Sequence, residues 1–209
     1  MPGGFAAPEE ARLSESDLLP DALRPALRSW WLAVEHPLAN SPNWDIASTA
    51  LIDDREGIVL VEAKAHANEI KSDSKPVLAK TNWDNHARID ACCRQASVAL
   101  DDVLPGWSLS AQSHYQLCNR FAFAWKLASL GKPVVLVYLG FLNADEMSDQ
   151  GLPLKNADDW ESLVRKHGRG VVPDEAWDTP IRVSEVFVRA IIQSMTVNLD
   201  GTITEKHLR

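Results

Sequence analysis

Apolar residues recur along this chain with two different periods, and each period predicts a different kind of element. Between residues 16 and 35 they repeat at intervals of three and four, which predicts a helix that buries Leu23, Leu27, Trp30 and Val34. The same spacing predicts helices over residues 84–103, 113–130 and 156–167. Helices should therefore form a large part of the fold.

A β-hairpin is predicted near the middle of the N-terminal half. Residues 46–52 and 58–65 have strand-like composition, and the polar residues 53–57 between them predict a tight turn. The run Ile58–Val61 is apolar without interruption, which is typical of a strand that is covered on both faces.

The remaining strand signals complete the predicted fold class. Residues 134–141 predict a second buried strand, whereas residues 183–197 mix helical and strand-like signals and favour neither. The order of helix, hairpin, helices and strand predicts an α/β fold, with a central mixed β-sheet flanked by helices on both faces.

Composition limits the class of protein. The 209 residues, with 45% hydrophobic and 24% charged residues, fit one domain over 1–209, in which residues 1–15 would be a loosely held arm. The sequence contains neither an apolar run of bilayer length nor the basic-then-apolar order of a secretory signal, so we expect no membrane partner and a cytoplasmic location. Three cysteines, two of them adjacent, argue against a disulfide framework.

Charge and missing motifs narrow the function. A net charge of −8 argues against a surface that coats nucleic acid indiscriminately, although a local basic groove stays open. The sequence has no phosphate-binding glycine loop, no serine-hydrolase nucleophile elbow and no paired-cysteine zinc motif. A catalytic or metal-binding site in this chain would therefore have to use residues other than these three motifs.

Glu62-Ala63-Lys64, at the end of the apolar strand, is the strongest candidate. Side chains alternate between the faces of a strand, so Glu62 and Lys64 project to the same side. An ion pair where the strand emerges into water is the simpler explanation. Asp45 favours a functional site over a simple ion pair, because it begins the neighbouring strand and so lies at the same end of the hairpin.

The register of the hairpin decides whether Asp45 joins this pair. If Asp53 pairs with Glu56 across a two-residue turn, Asp45 lies opposite Lys64. A three-residue loop ending in Gly57 would instead require a bulge to bring Asp45 back to this face. Two converging carboxylates suit Mg²⁺ or Mn²⁺, and the neighbouring Lys64 could orient a water or accept its proton.

The pattern of Asp45, a strand-turn-strand interval of sixteen residues and Glu62-Ala63-Lys64 resembles the PD-(D/E)XK nuclease superfamily. The resemblance implies a restriction-endonuclease-like fold and Mg²⁺- or Mn²⁺-dependent hydrolysis of phosphodiester bonds. It also implies that Asp45 and Glu62 are metal ligands, with the Ala63 carbonyl as a further one, and that Lys64 positions water. Glu35 matches the additional acid that some members take from the first helix.

Members of this superfamily also bring polar residues to the site from a helix after the Glu-x-Lys strand. Here the matching side chains lie at the start of the predicted helix 113–130 and share one face if its first turn includes residue 112: Gln112, Gln116, Asn119 and Arg120. They are the candidate substrate-binding residues. A polar outer face on an amphipathic helix explains them equally well.

Two alternatives to a nuclease stay open at this point. A catalytically inactive member of the same fold would be a binding or assembly module, with some of the eight tryptophans as interface anchors. An unrelated α/β protein would use Glu62 and Lys64 only as an ion pair. For the nuclease, nucleic acid is the expected partner, with DNA favoured and RNA as the alternative, and a homo-oligomer is left open.

Overall fold

The computed structural model describes residues 11–13, 17–35, 41–70, 83–197 and 203–207. Within these ranges the helices are α1 (Leu23–Trp31), α2 (Trp83–Asp101), α3 (Tyr115–Ser129) and α4 (Ala157–Gly168). The strands are β1 (Ala11–Arg12), β2 (Asn43–Trp44), β3 (Ile46–Ile52), β4 (Arg55–Lys64), β5 (Val134–Leu142), β6 (Ile181–Val183), β7 (Val186–Val197) and β8 (Ile203–His207). The predicted helices over 84–103, 113–130 and 156–167 are confirmed with ends that differ by at most two residues.

A mixed sheet organises these elements. Its strand order is β3-β4-β5-β7-β6, and β8 also pairs with β7. Strands β4, β5 and β7 are parallel, while β3, β6 and β8 run antiparallel to their neighbours. Helices α2 and α3 connect β4 to β5, and α4 lies between β5 and β7, as parallel pairing requires. The predicted α/β class and mixed sheet are therefore confirmed, and the ambiguous residues 183–197 belong to strands.

The predicted hairpin forms, but its turn lies one residue earlier than expected. Ile52 pairs with Arg55, so the turn consists of Asp53 and Asp54, whose φ angles are 49° and 60°. Two successive positive φ angles define the hairpin turn of type I′, and aspartate tolerates this conformation better than arginine does. The expected pairing of Asp53 with Glu56 is therefore wrong.

Gly57 does not end a three-residue loop either. It lies within β4 opposite Ala50. A Cβ atom at this position would come within 2.5 Å of the Ile52 side chain and 2.6 Å of the Pro133 carbonyl oxygen. The glycine is thus needed for close packing within the sheet rather than for a turn.

The helices that the structure describes cover one face of the sheet. Ile58, Leu60, Leu136 and Tyr138 point to one face and are buried, whereas alternate residues such as Val59 are only half-buried. Helix α3 packs on the buried face, where Phe121 and Tyr138 both contact the ring of Trp177. Helix α4 packs on the same face.

Helices α1 and α2 pack against the helical layer. Rings of α1 and α3 are in contact, with Trp31 and Phe123 centroids 4.7 Å apart, and α2 lies along α3. The prediction of helices on both faces is therefore wrong for the residues that the structure describes. An uninterrupted apolar run did not imply equal burial on its two sides.

The first helix is shorter than predicted. It ends at Trp31, and of the four residues predicted to be buried only Leu27 is; Trp31 is buried as well, while Val34 is 53% exposed. Asn85 of α2 explains the early end, because its Oδ1 accepts hydrogen bonds of 2.8 Å from the backbone N–H groups of Ala33 and Val34.

The predicted N-terminal arm is partly tied down. Ala11 and Arg12 pair with Trp44 and Asn43, and the side chain of Leu13 is fully buried. Residues 1–10 and 14–15 of the predicted arm lie outside the described residues. The core that Leu13 joins is one connected cluster, which extends across the helices and the sheet.

Gly140 is predicted to be intolerant of a side chain. A Cβ atom there would lie 2.7 Å from Cγ of Trp160, whose ring is fully packed, so Gly140→Ala should lower the free energy of unfolding by about 1–3 kcal/mol through overpacking. Urea unfolding measures this change. Gly168→Ala is the control, because its Cβ would meet only ordinary contacts, the nearest at 3.7 Å, and equal losses in both variants would contradict the packing described here.

Candidate functional site

Glu62 and Lys64 lie at the C-terminal end of β4, on the face that the helices cover. Glu62 is 1% exposed and Lys64 9%, and Lys64 Nζ contacts Glu62 Oε1. Tyr138 of the parallel strand β5 lies in register with Glu62, and its buried hydroxyl has no hydrogen-bond partner among the described residues. The ion pair is therefore buried in the fold and does not emerge into water as the simpler explanation assumed.

Arg120 of α3 completes the pairing of Glu62. Its Nε and Nη2 atoms both lie 2.6 Å from Glu62 Oε2, and its Nη1 donates to Asn119 Oδ1 at 2.8 Å. The guanidinium also stacks on Trp44, with Cζ 4.4 Å from the ring centroid. Each oxygen of the Glu62 carboxylate thus has a cationic partner, one from its own strand and one from the helix above it.

Asp45 joins the cluster through the backbone. It forms a bend between β2 and β3, and its Oδ2 accepts a hydrogen bond of 2.6 Å from the Ala63 N–H, between Glu62 and Lys64. Continuing the observed register by one residue places Asp45 opposite Glu62, two positions from the predicted partner Lys64. A shift of two residues leaves a side chain on the same face, so the three residues meet although the predicted register was wrong.

The environment of Asp45 favours its protonated form. Burial raises the pKa of its carboxyl above the ordinary value of 3.8; the Ala63 N–H lowers it, the charge of Glu62 raises it, and those of Lys64 and Arg120 lower it. The cluster holds two carboxylates and two cations, so its formal charge is zero when all four are ionised. A cation near Asp45 would lower this pKa by stabilising the carboxylate.

The oxygen donors of this cluster fit a hard divalent cation in part. Mg²⁺ in proteins is held by one or two carboxylates together with water. Asp45 and Glu62 provide two carboxylates. Asp45 Oδ1 has no partner among the described residues, whereas both Glu62 oxygens are already bound to Lys64 or Arg120. A metal would share Glu62 with these two side chains. Across the described part of the chain, no three His, Cys, Asp or Glu side chains form a ready metal cage.

Glu35, the predicted additional acid, has a different environment. Its Oε1 lies 3.0 Å from Arg28 Nε, and its side chain is 77% exposed. Helix α1 ends at Trp31, so Glu35 follows the helix instead of projecting from it. The structure thus places Glu35 in a surface ion pair with Arg28, apart from the cluster of Asp45 and Glu62.

The predicted substrate-binding residues separate into two groups. Gln112 is exposed before α3 begins, and Gln116 is half-buried in its first turn. Asn119 and Arg120 are buried, at 5% and 6% exposure; Arg120 binds Glu62, and Asn119 accepts a hydrogen bond from Arg120. The alternative of a polar outer face is therefore wrong for Asn119 and Arg120. A lone arginine among the apolar residues of α3 was the available signal for a buried partner.

One further carboxylate escaped the sequence analysis. Glu69 Oε2 accepts hydrogen bonds from the backbone N–H groups of Ala65 and His66, at 2.6 and 3.0 Å. It thereby holds the chain that leaves β4 in a short 3₁₀ turn, Ala67–Glu69. This residue fixes the direction in which the strand end leaves the cluster.

The chain matches no known family, and no curated protein or solved structure is significantly similar to it. Among the described residues, no helix combines the length and the apolar character that crossing a bilayer requires. A function for this protein therefore has to be inferred from the geometry of the cluster.

Glu62 is predicted to be essential for stability. Glu62→Gln removes the negative charge and leaves Lys64 and Arg120 buried without a counter-charge, so the free energy of unfolding should fall by about 3 kcal/mol. Urea unfolding gives the value. Glu56→Gln is the matched control, because Glu56 lies on the same strand in an exposed pair with Lys132, and we expect no measurable change there. Indistinguishable effects of the two substitutions would be evidence against a buried charge cluster.

Asp45 is predicted to make stability depend on pH. Its folded pKa is raised, so its contribution to stability is full below pH 3.8 and is lost as pH rises through the folded pKa. Asp45→Asn keeps an oxygen for the Ala63 N–H but cannot ionise. The unfolding free energy of this variant minus that of the wild type should therefore increase with pH above 3.8 and then level off. A difference that stays constant across urea unfolding series from about pH 4 to 8 would contradict the raised pKa.

Proposed function

We propose that this protein is a metal-dependent nuclease that hydrolyses phosphodiester bonds in nucleic acid. The observation that carries the proposal is the convergence of Asp45, Glu62 and Lys64 at the end of β4, with the Asp45 carboxylate bonded to the amide between the other two. The chain order supports a restriction-endonuclease-like fold, because helix α1 precedes the β3–β4 hairpin and β5 returns parallel to β4 after two helices.

Each residue of the cluster has a separate role in this proposal. Asp45 and Glu62 would hold Mg²⁺ or Mn²⁺, with the Ala63 carbonyl as a further ligand. A cation held there would supply electrophilic activation of a phosphoryl oxygen and a lowered pKa for water. Lys64 would orient the attacking water or take its proton, and either role requires that its amine is partly released from the Glu62 carboxylate that it contacts.

Arg120 acts on Glu62 in this proposal and does not touch the substrate. Its two contacts of 2.6 Å fix the rotamer of Glu62 and, with the stacking on Trp44, hold that carboxylate at the end of the strand. Of the remaining candidates, Gln112 is the exposed one and Gln116 lies half-buried near it, so these two would meet a nucleic acid. DNA is the favoured substrate of the proposal, in the cytoplasm, and a homo-oligomer stays open.

The second candidate function is a non-catalytic binding or assembly module. The observation in its favour is that both Glu62 oxygens are engaged by cations, which gives the cluster a structural role without a metal. Its predicted tryptophan anchors find less support, because six tryptophans are buried: Trp31, Trp44, Trp107, Trp125, Trp160 and Trp177. Trp83, at 58% exposure, is the exposed anchor available among the described residues.

Cleavage and metal binding together test the proposal. With linear duplex DNA, single-stranded DNA and RNA as substrates, the wild type should cleave at least one in the presence of Mg²⁺ or Mn²⁺. Lys64→Met should lower the rate by about 100-fold or more without weakening Mn²⁺ binding. Asp45→Asn should weaken both cleavage and Mn²⁺ binding. Calorimetric titration measures the Mn²⁺ binding. Lys132→Met and Glu56→Gln, an ion pair at the other end of β4, are the matched controls.

The outcomes separate the two functions. Saturable Mn²⁺ binding that depends on Asp45, without cleavage of any of the three substrates, would overturn the nuclease and favour a binding module. Absence of a saturable Mn²⁺ site in the folded wild type would also overturn the nuclease, and it would favour a binding or assembly module in which the buried ion pair has a structural role without a metal. Circular dichroism of each variant establishes that it is folded.

A further inference from the structure

Two histidines from separate elements meet where α4 ends and α3 begins. His114 directly precedes α3, and His167 lies in the last turn of α4. Their ring centroids are 4.8 Å apart, and the ring planes are inclined at 56°. Both side chains are half-buried, so packing holds them in place while part of each stays open to solvent. Neither histidine belongs to the cluster of Asp45, Glu62 and Lys64.

The nitrogens of these two rings are not used by the protein. His114 Nδ1 is buried without a hydrogen-bond partner, and neither imidazole has a hydrogen bond or an ion pair among the described residues. Buried polar atoms are normally hydrogen-bonded, and a neutral imidazole carries one donor and one lone pair. The pair therefore has nitrogen lone pairs available to a ligand.

The backbone at His114 gives no local reason for a histidine at this position. Its φ and ψ angles of 49° and 38° are left-handed, a conformation that costs free energy for residues other than glycine. It stands at the N-cap of α3, where serine, threonine, aspartate and asparagine are preferred, and its side chain makes no capping hydrogen bond. Its ring is turned to His167 instead.

The separation of the rings suits two ligands of one metal ion. Zinc–nitrogen bonds of about 2.0–2.1 Å at a nearly tetrahedral angle put the centroids of two imidazoles on the same ion about 5 Å apart. The observed 4.8 Å agrees with that value. The inclination of the planes also distinguishes the pair from two rings stacked face to face.

His167 has the protonation state that a metal ligand needs. Burial, together with the neighbouring His114, lowers the pKa of His167 from 6.5 to about 4. Its imidazole is therefore neutral at pH 7. Because a histidine binds metal only when it is deprotonated, this ring would lose no proton on binding.

The donor atoms indicate which ions would bind. In the part of the chain that the structure describes, no third His, Cys, Asp or Glu side chain joins the pair, so water would fill the other positions. Imidazole nitrogens suit Zn²⁺, Ni²⁺ and Cu²⁺, whereas carboxylate oxygens suit Mg²⁺ and Mn²⁺. This pair and the Asp45 cluster therefore differ in the ions that they favour.

We propose that His114 and His167 form a binding site for one transition-metal ion, Zn²⁺, Ni²⁺ or Cu²⁺, with water as the remaining ligands. The ion ties the start of α3 to the end of α4. Helix α3 also carries Arg120, which binds Glu62, so the ion stabilises the helix that holds that carboxylate. The proposal goes beyond the nuclease and does not depend on cleavage or on the Asp45 cluster.

Calorimetric titration of the untagged full-length protein with Zn²⁺ and with Ni²⁺ at pH 7 tests the proposal. The wild type should bind one ion at this site, and His114→Asn or His167→Gln should each weaken binding at least about tenfold, since loss even of an outer-shell partner costs that much. Asparagine is chosen at position 114 because it tolerates a positive φ. At about 100 times its dissociation constant, the ion should raise the thermal midpoint of wild-type unfolding by about 5–10 °C.

Controls distinguish this site from other histidines and from the acidic cluster. His86 is half-buried on α2 outside the pair, so His86→Gln should leave binding unchanged, as should Asp45→Asn. Electron paramagnetic resonance of bound Cu²⁺ should show coupling to two imidazole nitrogens in the wild type and in neither variant of the pair.

Three results would overturn the proposal. The first is that neither Zn²⁺ nor Ni²⁺ saturates the folded wild type. The second is undiminished binding in folded His114→Asn and His167→Gln, with circular dichroism as the measure of folding. The third is binding that is lost in Asp45→Asn and kept in both histidine variants, which would place the ion at the acidic cluster.

Discussion

The buried carboxylate of Glu62 constrains the arrangement of the whole sheet and its helical layer. A charge at 1% exposure is tolerated only with counter-charges close by, and here one comes from its own strand and the other from α3. Arg120 in turn stacks on Trp44, so a single ionic group fixes the β2 segment, β4 and α3 relative to one another. The directional contacts to Glu62 add to the close packing of α3 on the sheet a specific alignment of the helix with the end of β4.

The residues of the proposed site could be predicted from the sequence because side chains alternate between the two faces of a strand, so only an odd shift of register would have separated them. Ile46 begins β3 and Asp45 precedes it, while Glu62 and Lys64 end β4. Moving a two-residue turn by one position changes the strand pairing by two residues, and each side chain then stays on the same face. The error in the turn position therefore did not separate the three side chains. Periodicity likewise predicted helices α2, α3 and α4, whose apolar spacing is long and regular.

What the sequence did not reveal depends on contacts between distant segments. Arg120 pairs with Glu62 across 58 positions, and the apolar residues around Arg120 in α3 indicate that it is buried but do not identify Glu62 as its partner. Glu35 follows α1 because Asn85, from a different helix, binds the backbone just before it. The sequence also did not predict that the described helices lie on one face of the sheet, since an apolar run such as Ile58–Val61 shows that a strand is hydrophobic but not which neighbours cover each of its sides.

Asp45 has a structural task besides the proposed catalytic one. Its carboxylate takes the place that a backbone carbonyl would have in the next step of the β3–β4 ladder, since it accepts the Ala63 N–H where the strand pairing ends at Ile46 and Val61. Position 45 therefore has two separate requirements, an acceptor for the Ala63 N–H and, in the proposed function, a carboxylate for a metal. Without the proposed function, Glu62, Lys64 and Arg120 could be replaced by apolar residues together, because a well-packed apolar replacement of buried ions is often neutral or stabilising. Position 45 would still retain a side chain that accepts a hydrogen bond.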